Sequence, residues 1–195
     1  MRQAKMNRKT QETEITIALT LEGEGKSTVN TGIGFLDHML TLLARHGRMD
    51  LEINANGDLQ VDGHHTTEDI GIVLGQVIAR ALGDKRGIRR YGSATVPMDE
   101  ALVTSAVDLS GRPYLVFNAE FSGIMTGDFE TQLTEEFFRA VAFNAGMTLH
   151  LNCLYGQNDH HKIEGLFKAF ARSLAEAVSI DPTRSEDILS TKGIL

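Results

Sequence analysis

HHTTEDIGIVLGQVIARAL, residues 64–82, and HHKIEGLFKAFARSLAEAV, residues 160–178, are two stretches of this chain with one shared pattern. Each begins with a histidine pair, has glutamate three positions after the second histidine, and continues with apolar residues at helical spacing. A pattern that recurs along a chain indicates internal duplication. The two stretches therefore predict two related halves, each ending in a long amphipathic helix.

The elements upstream of each stretch repeat in the same order. Residues 14–21 alternate between apolar and polar side chains, which predicts a strand, and residues 35–47 have helical spacing. The Asn56-Gly57 dipeptide predicts a hairpin that joins strands at 49–53 and 59–61. The second half is predicted to contain strands at 101–109, 114–117 and 147–154, with a helix at 131–146. We place the halves at 1–92 and 93–195, the second including a C-terminal tail.

Composition limits the class of protein. The chain has 195 residues, normal apolar and charged fractions, and a net charge of −7, which does not suggest a nucleic-acid or anionic-membrane partner. No apolar run approaches the roughly 20 residues that span a bilayer, and the polar N-terminus does not resemble a secretory signal. A single cysteine, Cys153, excludes an internal disulfide and a thiolate-rich zinc site within one chain. We expect a cytoplasmic protein.

The paired histidines predict metal binding. Adjacent residues on a helix diverge by roughly 100°, so one histidine pair is better placed to serve two ions than to grip one. Glutamate at position i+3 or i+4 shares a face with either histidine. A lone histidine at a helix start is usually a cap or a solvated side chain, but chance rarely places the same block twice at equivalent points. Imidazole with carboxylate and no thiolate suits manganese, iron or zinc. The histidines and glutamates of the two blocks are His64, His65, Glu68, His160, His161 and Glu164.

The repeat also indicates further ligands. Aligning the halves sets LDHML beside TEEFF, which pairs His38 with Glu136. Glu136 has a plainer alternative as an exposed helix carboxylate. His46 lies at the end of the helix that carries His38. The helix dipole favours a positive charge at that end, which is enough to explain a histidine there.

Cations outside the metal blocks could bind a phosphate. Arg112 lies between glycine and proline, and Lys192 lies in STKG. Arginine binds phosphate through two parallel hydrogen bonds and lysine acts as a point charge. Lys85 and Arg86, in the basic run after Gly83, are expected to be solvated.

These motifs resemble the imidazoleglycerol-phosphate dehydratase family, and the matching stretches span residues 10–193. The resemblance implies an α+β fold of two half-domains, each a four-stranded sheet with two helices packed on it. It also implies a shell of twenty-four subunits built from trimers, with manganese sites between subunits. The matching stretches are TQET, GIGFLDHML, DGHHTTEDIG, GIRRYG, PMDEAL, DLSGRPYL, GMTLH, NDHHKIEGLFKAFARSL and STKG.

The resemblance carries specific residues to this chain, including two divalent metal ions per active site. One ion would take His64, position 136, His160 and Glu164, and the other His38, His65, Glu68 and His161. The chain departs from the commoner pattern at Glu136, where histidine is usual. The phosphate-binding positions correspond to Arg90, Arg112, Ser190 and Lys192, and the substrate-contacting positions correspond to Glu12, His38 and His46.

The implied reaction removes water from D-erythro-imidazole-glycerol phosphate, a step of L-histidine biosynthesis. The proton beside the imidazole is not acidic, so a metal pair that stabilises the ring as imidazolate would ease its removal. A carboxylate should act as the base, with Glu164 favoured and Glu12 as the alternative; His46 is a further candidate at the catalytic centre. Two other classes remain as alternatives: a metal-dependent phosphoester hydrolase and a non-catalytic metal-storage shell.

Overall fold

The computed structural model describes residues 1–183, 185, 187–193 and 195, and its elements repeat in two halves. The first half contains β1 (Gln3–Lys9), β2 (Thr13–Thr20), β3 (Ser27–Asn30), α1 (Gly34–Gly47), β4 (Asp50–Gly57) and α2 (His64–Leu82). The second half contains β5 (Tyr91–Met98), β6 (Ala101–Asp108), β7 (Tyr114–Asn118), β8 (Met125–Thr126), β9 (Phe129–Glu130), α3 (Leu133–Ala145), β10 (Thr148–Tyr155) and α4 (Asp159–Val178). Only the short β8–β9 hairpin has no counterpart in the described part of the first half.

Both large sheets have the same topology. Their strand orders are β1-β2-β4-β3 and β5-β6-β10-β7. In each sheet three strands are antiparallel and the last one pairs parallel to its neighbour, as β3 does with β4 and β7 with β10. This confirms the predicted α+β fold with two similar four-stranded halves. Because β5 begins at Tyr91, the boundary between residues 92 and 93 falls inside a strand, and the division into 1–92 and 93–195 stays a prediction.

The helices of one half pack against the helices of the other. Helix α2 contacts α3, and α1 contacts α4, while each helix also lies on the sheet of its own half. The α2–α3 approach is close because Gly75 has no side chain: a Cβ there would lie 2.6 Å from the carbonyl oxygen of Val141. Apolar residues at helical spacing fill this interior, so the buried core runs from one sheet through the helices to the other.

Within each helix pair the two helices are parallel, and this arrangement positions the histidines. Along α2 and α3, Gly71 faces Phe137 and Gly75 faces Val141, so residue numbers rise together. Along α1 and α4, His38 is next to Glu164, and Gly47 lies near the Ala171 carbonyl oxygen. The N-termini of α1 and α4 therefore share one end of a helix pair, as do those of α2 and α3. Among the described residues no helix combines the length and apolar character needed to cross a membrane.

Two local expectations were wrong. Asn56-Gly57 does not form a hairpin turn: β4 continues through Gly57, pairing with β2 on one side, and residues 59–61 form a turn. Hydrogen bonds to a neighbouring strand outweigh the local turn preference of this dipeptide. Lys85 is buried instead of solvated, because its Nζ donates to the carbonyl oxygen of Leu109 at 3.0 Å. Burial lowers the pKa of Lys85.

Candidate active site

The α1–α4 helix pair brings together two imidazoles and one carboxylate. His38 Nε2 lies 3.3 Å from Glu164 Oε2, and His160 Nε2 lies 3.2 Å from the same oxygen. The three candidate ligand atoms all lie within 4.8 Å of one another. Two nitrogens and one oxygen at this spacing suit a borderline divalent ion, so the donor chemistry fits the metal that the sequence predicts.

Glu164 is the buried member of this group. Burial alone would raise its pKa, but Lys168, whose Nζ donates to Oε1 at 2.5 Å, and the two imidazoles outweigh burial and hold the pKa below its usual value. The carboxylate is therefore ionised near neutral pH. An ionised carboxylate among imidazoles is prepared to accept a cation without first losing a proton.

The second histidine of the α4 pair points to a different carboxylate. His161 Nδ1 lies 2.7 Å from Glu100 Oε2, in the turn between β5 and β6. This contact raises the pKa of His161. Backbone N–H donation from Asn158, the His161 contact and donation from Gln157 together lower the pKa of Glu100 to about 2. Glu100 is therefore ionised near neutral pH beside His161.

The α2 pair has a similar arrangement. His65 Nδ1 lies 3.0 Å from Asp58 Oδ2, which raises the pKa of His65, and 3.9 Å from Glu12 Oε2. His64 Nε2 lies 3.8 Å from Glu68 Oε2, one helical turn later. Asp58 and Glu100 were not singled out in the sequence analysis. The position of Glu100 offered a signal, since it precedes the second strand of its half just as Glu12 does.

Glu136 lies in the first turn of α3, half-buried, with Arg139 Nε 3.7 Å from its carboxylate. The start of α3 is close to the start of α2, because a Cβ at Gly63 would lie 3.3 Å from Leu133 Cδ1. Glu136 and His64 therefore share one end of the α2–α3 pair. Its neighbour Glu135 pairs with Arg139 on the solvated surface.

A single chain does not bring either predicted ligand set together as a whole. His38 lies with His160 and Glu164, although the resemblance assigns His38 to the other ion. Among the described residues, this is the one group of three candidate ligands at metal-binding separation. The assignment of ligands to two ions stays a prediction.

A second cluster gathers cations around a cavity of about 580 Å³. It contains all four predicted phosphate-binding residues, which are Arg90, Arg112, Ser190 and Lys192. We call this cluster the cationic cradle. Arg90 is held in place by Asp108, 2.7 Å from its Nε, and donates from Nη1 to the Leu189 carbonyl oxygen at 2.7 Å. The Arg112 side chain is mostly exposed, and the described residues lining the cavity include no carboxylate.

The cradle and the α1–α4 group lie far apart within one chain. The backbone N–H of Arg90 donates to the Ala177 carbonyl oxygen, at the C-terminal end of α4, whereas His160 lies at its N-terminal end. The helical rise between these residues is on the order of 25 Å. Strand β6 also separates the two clusters. Glu100, which contacts His161, precedes the strand, and Asp108, which contacts Arg90, is its last residue.

His46 belongs to neither cluster. It lies at the C-terminal end of α1, in an open groove of about 930 Å³ that Arg48 and Arg172 also line. Burial, followed by the nearby charges of Lys168 and Arg172, lowers the pKa of His46. Glu22 and Glu176 line the same groove, and the described residues do not bring His46 into the α1–α4 group.

Comparison with known proteins gives a consistent result. The family model described as imidazoleglycerol-phosphate dehydratase matches residues 31–174. A relative of that name from Acetivibrio thermocellus is 60% identical over 194 residues, covering 100% of this chain and 99% of the relative. One from Exiguobacterium is 59% identical over 193 residues, covering 99% of this chain and 98% of the relative.

Solved structures agree with the sequence relatives. The Staphylococcus aureus imidazoleglycerol-phosphate dehydratase is 45% identical with a TM-score of 0.84, over 92% of this chain and 99% of that chain. The structure from Pyrococcus furiosus is 35% identical with a TM-score of 0.84, over 97% of this chain and 100% of that chain.

Proposed function

The chain belongs to the imidazoleglycerol-phosphate dehydratase family and is therefore a hydro-lyase of histidine biosynthesis, and from this premise we propose how its residues perform the reaction. The substrate is D-erythro-imidazole-glycerol phosphate and the product is imidazole-acetol phosphate. One observation carries the proposal: the chain contains a group of histidine and carboxylate side chains and, separately, the cationic cradle. The first suits a metal-bound imidazole ring, and the second suits the phosphate.

Two divalent ions would be held by the residues of the two blocks and their repeat partners. One set is His64, Glu136, His160 and Glu164, and the other is His38, His65, Glu68 and His161. Mixed imidazole and carboxylate ligands without thiolate favour manganese. Divalent ions held there would supply positive charge that stabilises negative charge on the imidazole ring during the elimination of water.

The complete site is proposed to form between subunits. A substrate with a three-carbon chain between ring and phosphate cannot reach from the α1–α4 group to the cationic cradle of the same chain. The two clusters lie at opposite ends of α4, separated by on the order of 25 Å. A neighbouring chain can supply the cradle, and the α2–α3 end of a neighbour can complete each ligand set. This separation supports an active site shared between subunits, which the shell of trimers implied by the family resemblance would provide.

Phosphate binding is assigned to the cationic cradle. Arg90 is preorganised by Asp108, so it can bind an anion without losing much side-chain freedom. Arg112 and Lys192 add two charges, and the Ser190 hydroxyl, which accepts from the Lys192 backbone N–H at 3.2 Å, adds a further hydrogen-bonding group.

The contacts favour Glu12 over Glu164 as the base. Both oxygens of Glu164 are engaged, one by Lys168 and the other by two imidazoles, which suits a ligand. The Glu12 side chain is 55% exposed, and its carboxylate is 3.9 Å from His65 Nδ1. We assign to Glu12 the removal of the proton from the second carbon of the side chain, while the ring electrons expel the hydroxyl from the carbon attached to the ring; the enol that forms becomes the ketone product.

A direct assay tests this function. Protein loaded with Mn²⁺ is incubated with the substrate, and the ketone product and free phosphate are measured separately. We expect ketone in proportion to substrate consumed, with no phosphate release, and loss of this activity in His160→Ala. Phosphate release without ketone would replace the proposal by a phosphoester hydrolase. Metal binding without either product would replace it by a metal-storage protein.

A further inference from the structure

Glu12 and Glu100 occupy equivalent places in the two halves. Each is the residue immediately before the second strand of its sheet, Glu12 before β2 and Glu100 before β6. Each carboxylate faces Nδ1 of the second histidine in its half, at 3.9 Å for His65 and 2.7 Å for His161. The two glutamates therefore occupy the same place in the repeat, but only Glu100 is close enough to its histidine to form a hydrogen bond.

Glu100 uses both of its oxygens. Oε1 accepts hydrogen bonds from the backbone N–H groups of Gln157 at 3.0 Å and Asn158 at 2.8 Å. Oε2 accepts from His161 Nδ1. Asn158 in turn caps α4, since its side-chain oxygen accepts from the backbone N–H of His160 at 2.9 Å. One carboxylate thus connects the β5–β6 turn to the start of the helix that carries the histidine pair.

The hydrogen bond to Glu100 decides which nitrogen of His161 carries the proton. An ionised carboxylate can only accept, so Nδ1 must donate, and in the neutral imidazole Nε2 then carries the lone pair. A metal-binding imidazole needs that free lone pair, and its other nitrogen usually donates to a carboxylate or a carbonyl. The geometry supplies the acceptor for Nδ1 before any ion arrives, and Nε2 is the nitrogen left for a ligand bond, 3.6 Å from Asp99 Oδ2.

We propose that Glu100 is a positioning residue that fixes the orientation and tautomer of His161 so that Nε2 is ready to bind a divalent ion. This rests on the proposed two-metal function. In the first half a different carboxylate has this role, because Asp58 Oδ2 accepts a hydrogen bond from His65 Nδ1 at 3.0 Å. Glu12 therefore remains available to act as the base, whereas its counterpart Glu100 orients a metal-binding histidine.

The Glu100→Gln variant distinguishes the positioning of His161 from structural support of the start of α4. The amide oxygen of glutamine can still accept from Gln157 and Asn158, but its NH₂ group then faces the Nδ1–H of His161, which loses its acceptor. The matched control is Glu24→Gln, which removes a charge from an exposed glutamate paired with exposed Lys26. Affinity for Mn²⁺ is measured by competition with a chromophoric chelator, and folding by circular dichroism.

We expect Glu100→Gln to keep its secondary structure and to bind Mn²⁺ about 10–100-fold more weakly, as for other partners of metal-binding histidines. Glu24→Gln should bind Mn²⁺ like the unaltered protein. Affinity within twofold of the unaltered protein in Glu100→Gln would overturn the proposal. It would leave the dehydratase function intact, because that function is tested by the ketone product of the unaltered enzyme.

A second measurement does not depend on a variant that folds. Nitrogen-15 NMR of the metal-free, unaltered protein reports which ring nitrogen of each histidine carries the proton. We expect His161 in the Nδ1–H form. A resting Nε2–H form of His161 would overturn the proposal, whatever the behaviour of the variant.

Discussion

Glu136 is the residue at which this chain departs from the usual ligand pattern of its family. It lies in the first turn of α3, at the end of the α2–α3 pair that also carries His64. Its carboxylate is half-buried, and its nearest charged partner, Arg139 Nε, is 3.7 Å away, too far for a strong hydrogen bond. This environment leaves the carboxylate oxygens available for a cation.

We expect Glu136→Gln to weaken metal binding by about tenfold or more, because a neutral amide is a poorer ligand than a carboxylate for a borderline cation. Glu136→His should restore binding, since histidine is the residue more often found there. Bound metal per chain, measured side by side for both variants, checks this. Undiminished metal content in the glutamine variant would mean that Glu136 is an ordinary surface carboxylate.

The cationic cradle gives a second prediction at the scale of residues. Arg112→Ala or Lys192→Ala should raise KM about 10–100-fold with unchanged metal content, because a charge-assisted hydrogen bond contributes about 1.5–3 kcal/mol. Steady-state kinetics and metal analysis of the same samples provide the measurement. Lys9→Ala is the control, since Lys9 is an exposed cation paired with Glu14. An unchanged KM in both cradle variants would contradict the phosphate role.

At the scale of elements, helix α1 depends on a cap from the other half. Ile33, at its N-cap, offers no side-chain hydrogen bond. Asp128, between β8 and β9, instead accepts from the backbone N–H groups of Gly34 at 2.6 Å and Phe35 at 2.9 Å. Because α1 carries His38, the β8–β9 hairpin of the second half helps to set the position of a candidate ligand from the first half.

Asp128→Ala should lower the free energy of unfolding by about 0.5–2 kcal/mol, the range for losing a helix cap. In a chain of this size each kcal/mol corresponds to a drop of about 2–4 °C in melting temperature. Thermal unfolding followed by circular dichroism measures the drop. Asp128→Asn, which keeps one acceptor, should lose less, and an equal melting temperature for the alanine variant would contradict the cap.

The same cap predicts a pH dependence. Burial would raise the pKa of Asp128, but the N–H donors of Phe35 and Gly34 outweigh it and hold the pKa below its usual value. A lowered folded pKa means that the stabilisation is present above the unfolded value of about 3.9 and is lost as pH falls through the folded value. The difference in stability between unaltered protein and Asp128→Ala should therefore be constant near neutral pH and shrink in acid.

At the scale of the whole molecule, the opposite placement of the two clusters makes the isolated chain an incomplete enzyme in the proposed function. Metal ligands lie at one end of α4 and the cationic cradle at the other. Large apolar side chains, including Ile124, Tyr114 and Tyr155, are exposed and provide surface for contacts between copies. Association then serves catalysis directly, because it brings one chain's ring-binding group to another chain's phosphate-binding group.

Two inactive variants should therefore complement each other. His160→Ala lacks a ligand, and the double variant Arg112→Ala, Lys192→Ala lacks the cradle, so each retains what the other has lost. Mixed in equal amounts while metal-free and then loaded with Mn²⁺, they should regain intact sites in about one quarter of cases if subunits mix at random. Activity is compared with each variant alone. No gain over their summed activities would place the whole site within one chain.

Assembly should also respond to metal. If ions bind between subunits, part of their binding energy stabilises the interface, so a chelator should convert the particle to smaller units. Analytical ultracentrifugation before and after chelation, and after Mn²⁺ is restored, measures this. A metal-free protein that sediments at the full particle size would count against metal ions at the interface.

Elements with strong periodicity and residues with distinctive chemistry could be predicted from the amino-acid sequence. Helices α2, α3 and α4 follow from apolar spacing, and the duplicated histidine blocks indicate both the repeat and the candidate metal ligands. Strands β1, β3 and β5 were not predicted, because they carry many polar residues and most of their side chains are exposed or only partly buried. Their strand conformation comes from pairing with a neighbour, which local sequence does not encode.

The contacts among the candidate residues depend on tertiary packing and could not be predicted from the sequence. Glu100 and His161 are 61 residues apart in the chain and 2.7 Å apart in space. His38 and Glu164 are 126 residues apart and belong to different halves. Spacing along one helix predicts neighbours within a turn or two, but contacts between helices depend on how two duplicated halves pack. That packing buries the apolar faces of all four helices, and the distance between the metal ligands and the cationic cradle is its consequence.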